Sequence, residues 1–289
     1  MKLNTLFVKG KPSFSLEIFP PKKSTGIERL YQALEDISDM RPDFISVTYG
    51  AGGGIAGQNT LDIASHIKSK LLIEPLAHLT CVNLTKEEAK NMLESFKLKG
   101  IENVLALRGD IVDGVRLSED FPHSSDLARF ISQNSDINIV GACYPEGHFE
   151  SESLDKDIEN LKYKIDNGVT HLITQLFFDN NKLYSFMDKL RAKNISVPVE
   201  AGIMPITTTR QIERTVALSG ASLPSEFTQM VSRYSQNEEA LFHSGIAYAI
   251  EQIDELVDSG LVDGVHVYTM NNQAVAREVY KGVKNKLKR

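Results

Sequence analysis

Tryptophan is absent from this 289-residue chain, and cysteine occurs only twice, at Cys81 and Cys143. Two cysteines cannot build a disulfide framework, and their spacing fits no metal-binding pattern. They suit small buried hydrophobes in a reducing compartment. No apolar run approaches the roughly 20 residues that a membrane-spanning helix requires. Residues 1–11 lack the apolar core of a secretory signal. These absences predict a cytoplasmic protein with no membrane partner. Excess positive charge is missing too, since 32 Lys and Arg face 38 Asp and Glu for a net charge of −6. The densest basic run is the short stretch 281–289, so nucleic acid is not an expected partner.

Several catalytic signatures are also lacking. The seven histidines are scattered without an H-x-x-x-H pair, and no metal site is expected. There is no G-x-S-x-G elbow and no G-K-S/T phosphate loop. No lysine falls inside a predicted strand, where a Schiff-base enzyme would place one. The run Gly52-Gly53-Gly54-Ile55-Ala56-Gly57 contains a literal G-x-G-x-x-G. Its glycines match many spacings, and Glu74 precedes Pro75 instead of ending a second strand, so a dinucleotide fingerprint is a poor fit. A flexible loop able to act as a lid suits the run better.

What the chain does have is alternation. Short apolar runs predict strands at 13–19, 43–48, 75–81, 103–107, 137–142, 171–176, 197–201 and 264–267. Segments of helical period predict helices at 26–40, 59–70, 86–99, 124–134, 154–167, 180–193, 208–219 and 238–259. Thr85-Lys86-Glu87-Glu88 reads as a capping box, with Gly100 just past the helix end. No composition shift divides the chain. An α/β fold of the (β/α)8 TIM-barrel type, one domain over residues 1–289, fits the count better than an open sheet.

In a barrel, alternate strand residues face the interior. With Phe14, Leu16 and Ile18 on the helix side, Glu17 faces inward near the C-terminal mouth. The same counting predicts inward positions for Ser46 and Thr48, for Leu76, His78 and Thr80, and for Val104, Ala106, Arg108 and Asp110. It does so again for Val140, Ala142 and Tyr144, for Ile173 and Gln175, and for Glu200. Polar groups therefore collect at the end where barrel active sites are built. Glu17, His78, Arg108, Asp110, Tyr144, His148 and Gln175 form the candidate constellation, because buried charges are costly unless paired or used.

These residues carry a resemblance. Glu17-Ile18-Phe19-Pro20-Pro21-Lys22, Ser46-Val47-Thr48-Tyr49-Gly50-Ala51, His78-Leu79-Thr80-Cys81, Ala106-Leu107-Arg108-Gly109-Asp110, Tyr144-Pro145-Glu146-Gly147-His148, Thr174-Gln175-Leu176-Phe177-Phe178-Asp179 and Gly202-Ile203-Met204-Pro205 occur in this order. The set resembles methylenetetrahydrofolate reductase of the bacterial, single-domain kind, over about residues 12–275. The resemblance implies a flavoprotein oxidoreductase that reduces 5,10-methylenetetrahydrofolate to 5-methyltetrahydrofolate and so feeds methionine synthesis. Electrons would pass from NADH or NADPH through FAD, with both substrates using one site in turn. A homo-oligomer is also implied, and no regulatory domain is expected.

Carried over by the resemblance, Thr48, Tyr49 and Ala51 would line the flavin, with His78, Arg108, Gly109 and Asp110 around it. Tyr144 and His148 would continue that surface. Asp157, Asn160 and Lys164 would hold the adenosine and diphosphate end, their spacing placing them on one helix face. Glu17 and Asp110 would be catalytic, and Gln175 and Gln211 would join them in binding folate. Burial among apolar neighbours is expected to raise the Glu17 carboxyl pKa and suit it to donate a proton. Thr215, Asn272 and Tyr163 depart from the commoner family pattern, leaving Arg277 or Lys281 for the folate tail. Two other readings remain open from the residues: a proline-dehydrogenase-like flavin enzyme, and a flavin-free barrel that carries a folate.

Overall fold

Each apolar run becomes a strand because its side chains can be buried on both faces. The computed structural model describes residues 1–21, 26–49, 54–111 and 117–287, without the side chains of 54–56, 214 and 216–218. The strands are β1 (Ser13–Ile18), β2 (Phe44–Val47), β3 (Glu74–Thr80), β4 (Asn103–Leu107), β5 (Asn138–Cys143), β6 (Val169–Thr174), β7 (Val199–Ile203) and β8 (Gly264–Tyr268). They pair in parallel and in chain order, and β8 closes on β1. Around them lie α1 (Ile27–Ser38), α2 (Gly54–His66), α3 (Lys86–Leu98), α4 (Ser124–Asn134), α5 (Leu154–Asp166), α6 (Asn180–Ala192), α7 (Thr209–Ser219), α8 (Ser225–Tyr234), α9 (Glu238–Ser259) and α10 (Gln273–Val283). This is the expected (β/α)8 barrel. Among the described residues no helix is long and apolar enough to cross a membrane.

Local chemistry sets the helix ends. Thr85 Oγ1 accepts from Glu88 N at 3.2 Å, and Thr85 N donates to Glu88 Oε2 at 2.9 Å. This is the anticipated capping box, a device worth roughly 1 kcal/mol. Gly100 takes φ +70° beyond α3, a left-handed stop that glycine adopts without strain. Two helices were not anticipated. α8 occupies the long β7–β8 connection, and α10 buries Val275, Ala276, Val279 and Val283 on one face. The 281–289 basic run therefore starts inside a packed helix.

The barrel carries two apolar layers. Phe14, Leu16, Ile18, Ile45, Val47 and Ala77 belong to the outer one, between sheet and helices. Inside, Leu3, Phe44, Leu76, Leu105, Val140 and Ile173 fill the lower half. Leu3 comes from a one-turn N-terminal helix whose backbone N donates to Asn103 Oδ1 at 2.7 Å, so the chain start plugs the N-terminal end.

One parity expectation fails. Val104 and Ala106, expected inside, lie in the outer layer, while Leu105 and Leu107 pack against the inner cluster. Every residue from Val104 to Leu107 is apolar, so alternation offers no contrast there. Register decides instead, pairing His78 with Leu105 and Ala77 with Val104. Arg108 and Asp110, also expected inside, lie beyond the end of β4. The glycine-run expectation is corrected in part. Gly54–Gly57 open α2 instead of a loop, and a Cβ at Gly57 would meet Tyr49 Oη at 2.7 Å. Gly50, Ala51, Gly52 and Gly53 lie outside the described residues.

Candidate functional site

Four strands bring polar side chains together at the upper end of the barrel axis. Glu17, near the end of β1, accepts a hydrogen bond from Ser46 Oγ of β2 at 3.3 Å. Its Oε2 also stands 3.4 Å from His78 Nε2 of β3 and 3.6 Å from His266 Nε2 of β8. Ser15, two residues earlier on β1 and facing the same way, lies 2.7 Å by Oγ from His266 Nδ1. The expected inward turn of Glu17, Ser46 and His78 is present. Their cluster sits above the apolar inner core, where water is scarce and each polar contact counts for more.

The electrostatics differ from expectation at Glu17. Burial does push its carboxyl upward, but the hydrogen bond from His266, the electrostatic pull of the His78 and His266 rings and the Ser46 hydroxyl outweigh it. The net direction is downward, so the carboxyl is ionised at neutral pH in the ligand-free site, not poised as an acid. His78 moves the opposite way for its class. Burial lowers it to about 4 against the pull of Glu17, leaving a neutral imidazole. Hydrogen bonds from His266 and Ser46 thus help the carboxylate keep its charge.

Beside this cluster, between the ends of β4 and β5 and helices α4 and α5, lies a cleft of about 510 Å³. Arg108, Tyr144, His148, Asp157, Asn160 and Lys164 all line it, six of the residues assigned to cofactor binding. Ser153 caps α5 by accepting from Lys156 N, which aims the Asp157–Asn160–Lys164 face at the opening. Asp157 ties down the facing loop, accepting from His148 N at 3.2 Å and Ser151 Oγ at 3.1 Å. Tyr144 and His148 meet edge to face at 4.8 Å. Burial raises the Tyr144 phenol to about 12, so it stays a neutral hydrogen-bonding group.

The two cations of the cleft lack strong buried partners. Lys164 Nζ donates to the Ala142 carbonyl at a long 3.4 Å, and burial lowers its pKa despite the nearby Asp157. Arg108 holds Glu150 with both guanidinium nitrogens, one of them to Oε1 at 3.0 Å, on a carboxylate that is 41% exposed. A desolvated ammonium beside a guanidinium whose partner can swing into water is a donor set that fits a diphosphate.

The remaining assignments are spread differently. Gly109 adopts φ +87°, where a Cβ would come within 2.9 Å of Thr80, so the turn after β4 requires glycine. Asp110 is exposed beyond it, on the Tyr144 side. Thr48 follows the end of β2, and its carbonyl accepts from Thr60 Oγ1 at 2.9 Å. Tyr49 packs against the start of α2. Ala51 falls outside the described residues. Gln175 Oε1 accepts from Leu176 N, leaving its amide nitrogen for a ligand. Gln211 Oε1 accepts from Thr207 N, Thr207 Oγ1 and Thr208 N, which it organises into the turn before α7. Arg277 is removed from the mouth as well, since it binds Asp39 and the Asp36 carbonyl at the end of α1. Lys281 pairs with Glu278, and Asn272 caps α10.

His266, Ser15 and Tyr268 were not among the candidates. The alternation of Val265-His266-Val267-Tyr268 carries the signal, with both valines in the outer layer and both polar residues inside. Tyr268 donates to the Thr174 carbonyl at 2.7 Å across Gly202, where any Cβ would sit 2.2 Å from that oxygen.

A family model described as methylenetetrahydrofolate reductase matches residues 2–284. The 5,10-methylenetetrahydrofolate reductase of Escherichia coli K12 is 32% identical over 264 residues, covering 91% of this chain and 88% of that protein. Methylenetetrahydrofolate reductase 1 of Schizosaccharomyces pombe is 34% identical over 277 residues, covering 94% of this chain and 46% of that one. An Arabidopsis thaliana relative, methylenetetrahydrofolate reductase (NADH) 1, is 34% identical, with 93% and 48% covered. The chain therefore spans about half the length of the curated eukaryotic relatives it matches. Among solved structures, an uncharacterized Clostridium thermocellum protein described as binding two copies of 5-methyl-5,6,7,8-tetrahydrofolic acid aligns with a TM-score of 0.63. It covers 96% of each chain at 15% identity, a likeness of fold alone.

Proposed function

Because the chain belongs to the methylenetetrahydrofolate reductase family, we propose that it reduces 5,10-methylenetetrahydrofolate to 5-methyltetrahydrofolate. NADH or NADPH serves as electron donor and FAD as cofactor. The observation that carries this reading is the pairing of an anion-accepting cleft with a carboxylate on the barrel axis beside it. Bound FAD would supply hydride transfer between the nicotinamide and the folate one-carbon unit.

The protein's own groups do the rest. Arg108 and Lys164 bind the diphosphate, Arg108 by exchanging Glu150 for it. Asn160 and the aromatic edge of Tyr144 hold the remainder of the cofactor in place. Thr48, Tyr49, His78 and Gly109 would line the flavin ring. Glu17 handles the proton that opening of the folate's five-membered ring requires, once substrate covers the mouth and strips water from the carboxylate. Asp110 accepts hydrogen bonds from the pterin, and its charge disfavours electron density on the nearby ring. Gln175 offers its free amide nitrogen to either substrate in turn, which suits ping-pong kinetics. The barrel acts as one catalytic domain, in the cytoplasm, as a homo-oligomer, and its product feeds methionine synthesis.

Anaerobic titration of FAD-loaded protein with NADH or NADPH, then with methylenetetrahydrofolate, tests the reading. The flavin absorbance near 450 nm should bleach with nucleotide and return with folate. Protein that takes up no FAD would support the flavin-free barrel instead.

A further inference from the structure

Below Glu17, the barrel interior holds a second acid that the proposed reaction leaves unused. Glu200 on β7 is fully buried, and no lysine or arginine pairs with it among the described residues. Its Oε1 accepts from Ser13 Oγ at 2.6 Å and from Ser15 Oγ at 3.3 Å. Its Oε2 makes no hydrogen bond, the closest basic group being His171 Nε2 at 3.7 Å. Space for this side chain depends on Gly264, where a Cβ would lie 1.8 Å from Ser13 Oγ and 2.8 Å from Glu200 Oε1.

Ser15 is shared. The hydroxyl that reaches Glu200 also lies 2.7 Å from His266 Nδ1, and the far nitrogen of that ring faces Glu17. A line of exchangeable protons therefore runs from Glu200 Oε1 through Ser15 Oγ and His266 towards Glu17 Oε2, with a 3.6 Å gap at its last step.

We propose that Glu200 is the proton store that recharges Glu17, acting through Ser15 and His266. The inference rests on the proposed folate reduction. Glu200 acts through Ser15 and His266, and so is a positioning residue. With the Ser15 hydroxyl turned to donate to His266 Nδ1, Glu200 Oε1–H donates to Ser15 Oγ, and its O–H bond breaks as that proton joins the serine. The original Ser15 proton passes to His266 Nδ1, and the proton on Nε2 passes to Glu17 Oε2. One proton has moved, leaving a Glu200 carboxylate, an intact serine, a neutral imidazole protonated on Nδ1 and a Glu17 carboxylic acid. The 3.3 Å and 3.6 Å steps must shorten towards normal hydrogen-bond length for the transfer, within reach of small rotamer motions. The route matters because bound folate would cover the mouth from which solvent could otherwise protonate Glu17.

The surroundings favour a stored proton. Burial, with further pressure from the Asp43 and Asp263 carboxylates, lifts Glu200 to about 8 despite the two serine hydrogen bonds. His171, the titratable group facing it from β6, is lowered to about 3 by burial and stays neutral. Glu200 therefore holds its proton at neutral pH and can release it near the upper physiological range.

The coupling is readable without turnover. Nitrogen-15 NMR of the full chain between pH 6 and 9.5 should show His266 protonated on Nε2 at low pH. It should move to the Nδ1 tautomer as ionised Glu200 claims the Ser15 hydroxyl. Glu200→Gln should hold the Nε2 tautomer throughout. In FAD-loaded protein the same variant should slow single-turnover folate reduction about tenfold more than flavin reduction by NADH, and should lose the pH dependence near 8. A tautomer change that persists in Glu200→Gln, or is absent from the parent protein, overturns the proposal. Should Glu200→Gln fail to fold, Ser15→Ala cuts the same line, and a His266 that still follows pH in that variant overturns it equally. Parent protein that reduces no folate at any pH would sink the reaction, leaving the relay to be judged by the tautomer alone.

Discussion

Glu17 and His266 face each other across the seam where β1 pairs with β8, with Oε2 and Nε2 3.6 Å apart. Closing the barrel is what creates this pair, because the two residues come from its first and last strands. Glu17→Gln should leave flavin reduction by NADH near normal and slow the folate half-reaction by about 10²-fold or more, the usual worth of a positioned acid. Stopped-flow absorbance separates the halves, and equal losses in both would refute the role.

Stability should respond to pH from both sides. The unfolded chain protonates His78 near 6.5, whereas the folded one waits until about 4, so the fold loses stability as pH falls through that window. The loss amounts to about 3 kcal/mol. Glu200 acts in reverse. Its folded value of about 8 against an ordinary 4.5 means the fold holds a proton that the unfolded chain has released. Stability falls as pH rises between those values, by about 5 kcal/mol across the window. Urea melts of Glu200→Gln at pH 5 and pH 8 should show that alkaline decline removed; an unchanged slope would place the titration elsewhere.

In the proposed cofactor site, Glu150 competes with a diphosphate for the Arg108 guanidinium. Glu150→Gln weakens that internal competitor and should tighten FAD binding to apoprotein a few-fold, the scale of a partly exposed ion pair. Lys164→Ala should weaken it by about 10–100-fold, since a charge-assisted hydrogen bond is lost. Flavin fluorescence titration measures both, and a Glu150→Gln variant that binds FAD more weakly would mean the carboxylate organises the site.

Leu3 plugs the inner core from below, fully buried against Phe44, Leu76 and Leu105. Leu3→Ala should cost about 2–5 kcal/mol in urea denaturation, as for other large cavities. A loss under about 0.5 kcal/mol would show the N-terminal turn to be dispensable, since surface substitutions fall in that range.

Periodicity alone determined the strand count, the barrel and the inward turn of Glu17, Ser46 and His78. In those strands one face is wholly apolar and the other carries the polar groups, so two-residue alternation carries the answer. The capping box at Thr85 and the helix face of Asp157, Asn160 and Lys164 were legible for a similar reason, being set by residues within two turns of one another. Tertiary structure decided the rest. β4 is apolar on both faces, and only its register with β3 turns Leu105 inward. Gln211 and Arg277 were spent on a turn and a helix end that their own sequence neighbourhood does not reveal. The downward shift at Glu17 and the upward one at Glu200 oppose each other in one interior. The difference lies in partners brought from β2, β3 and β8, and electrostatic balance among buried groups depends on distances that no local pattern encodes.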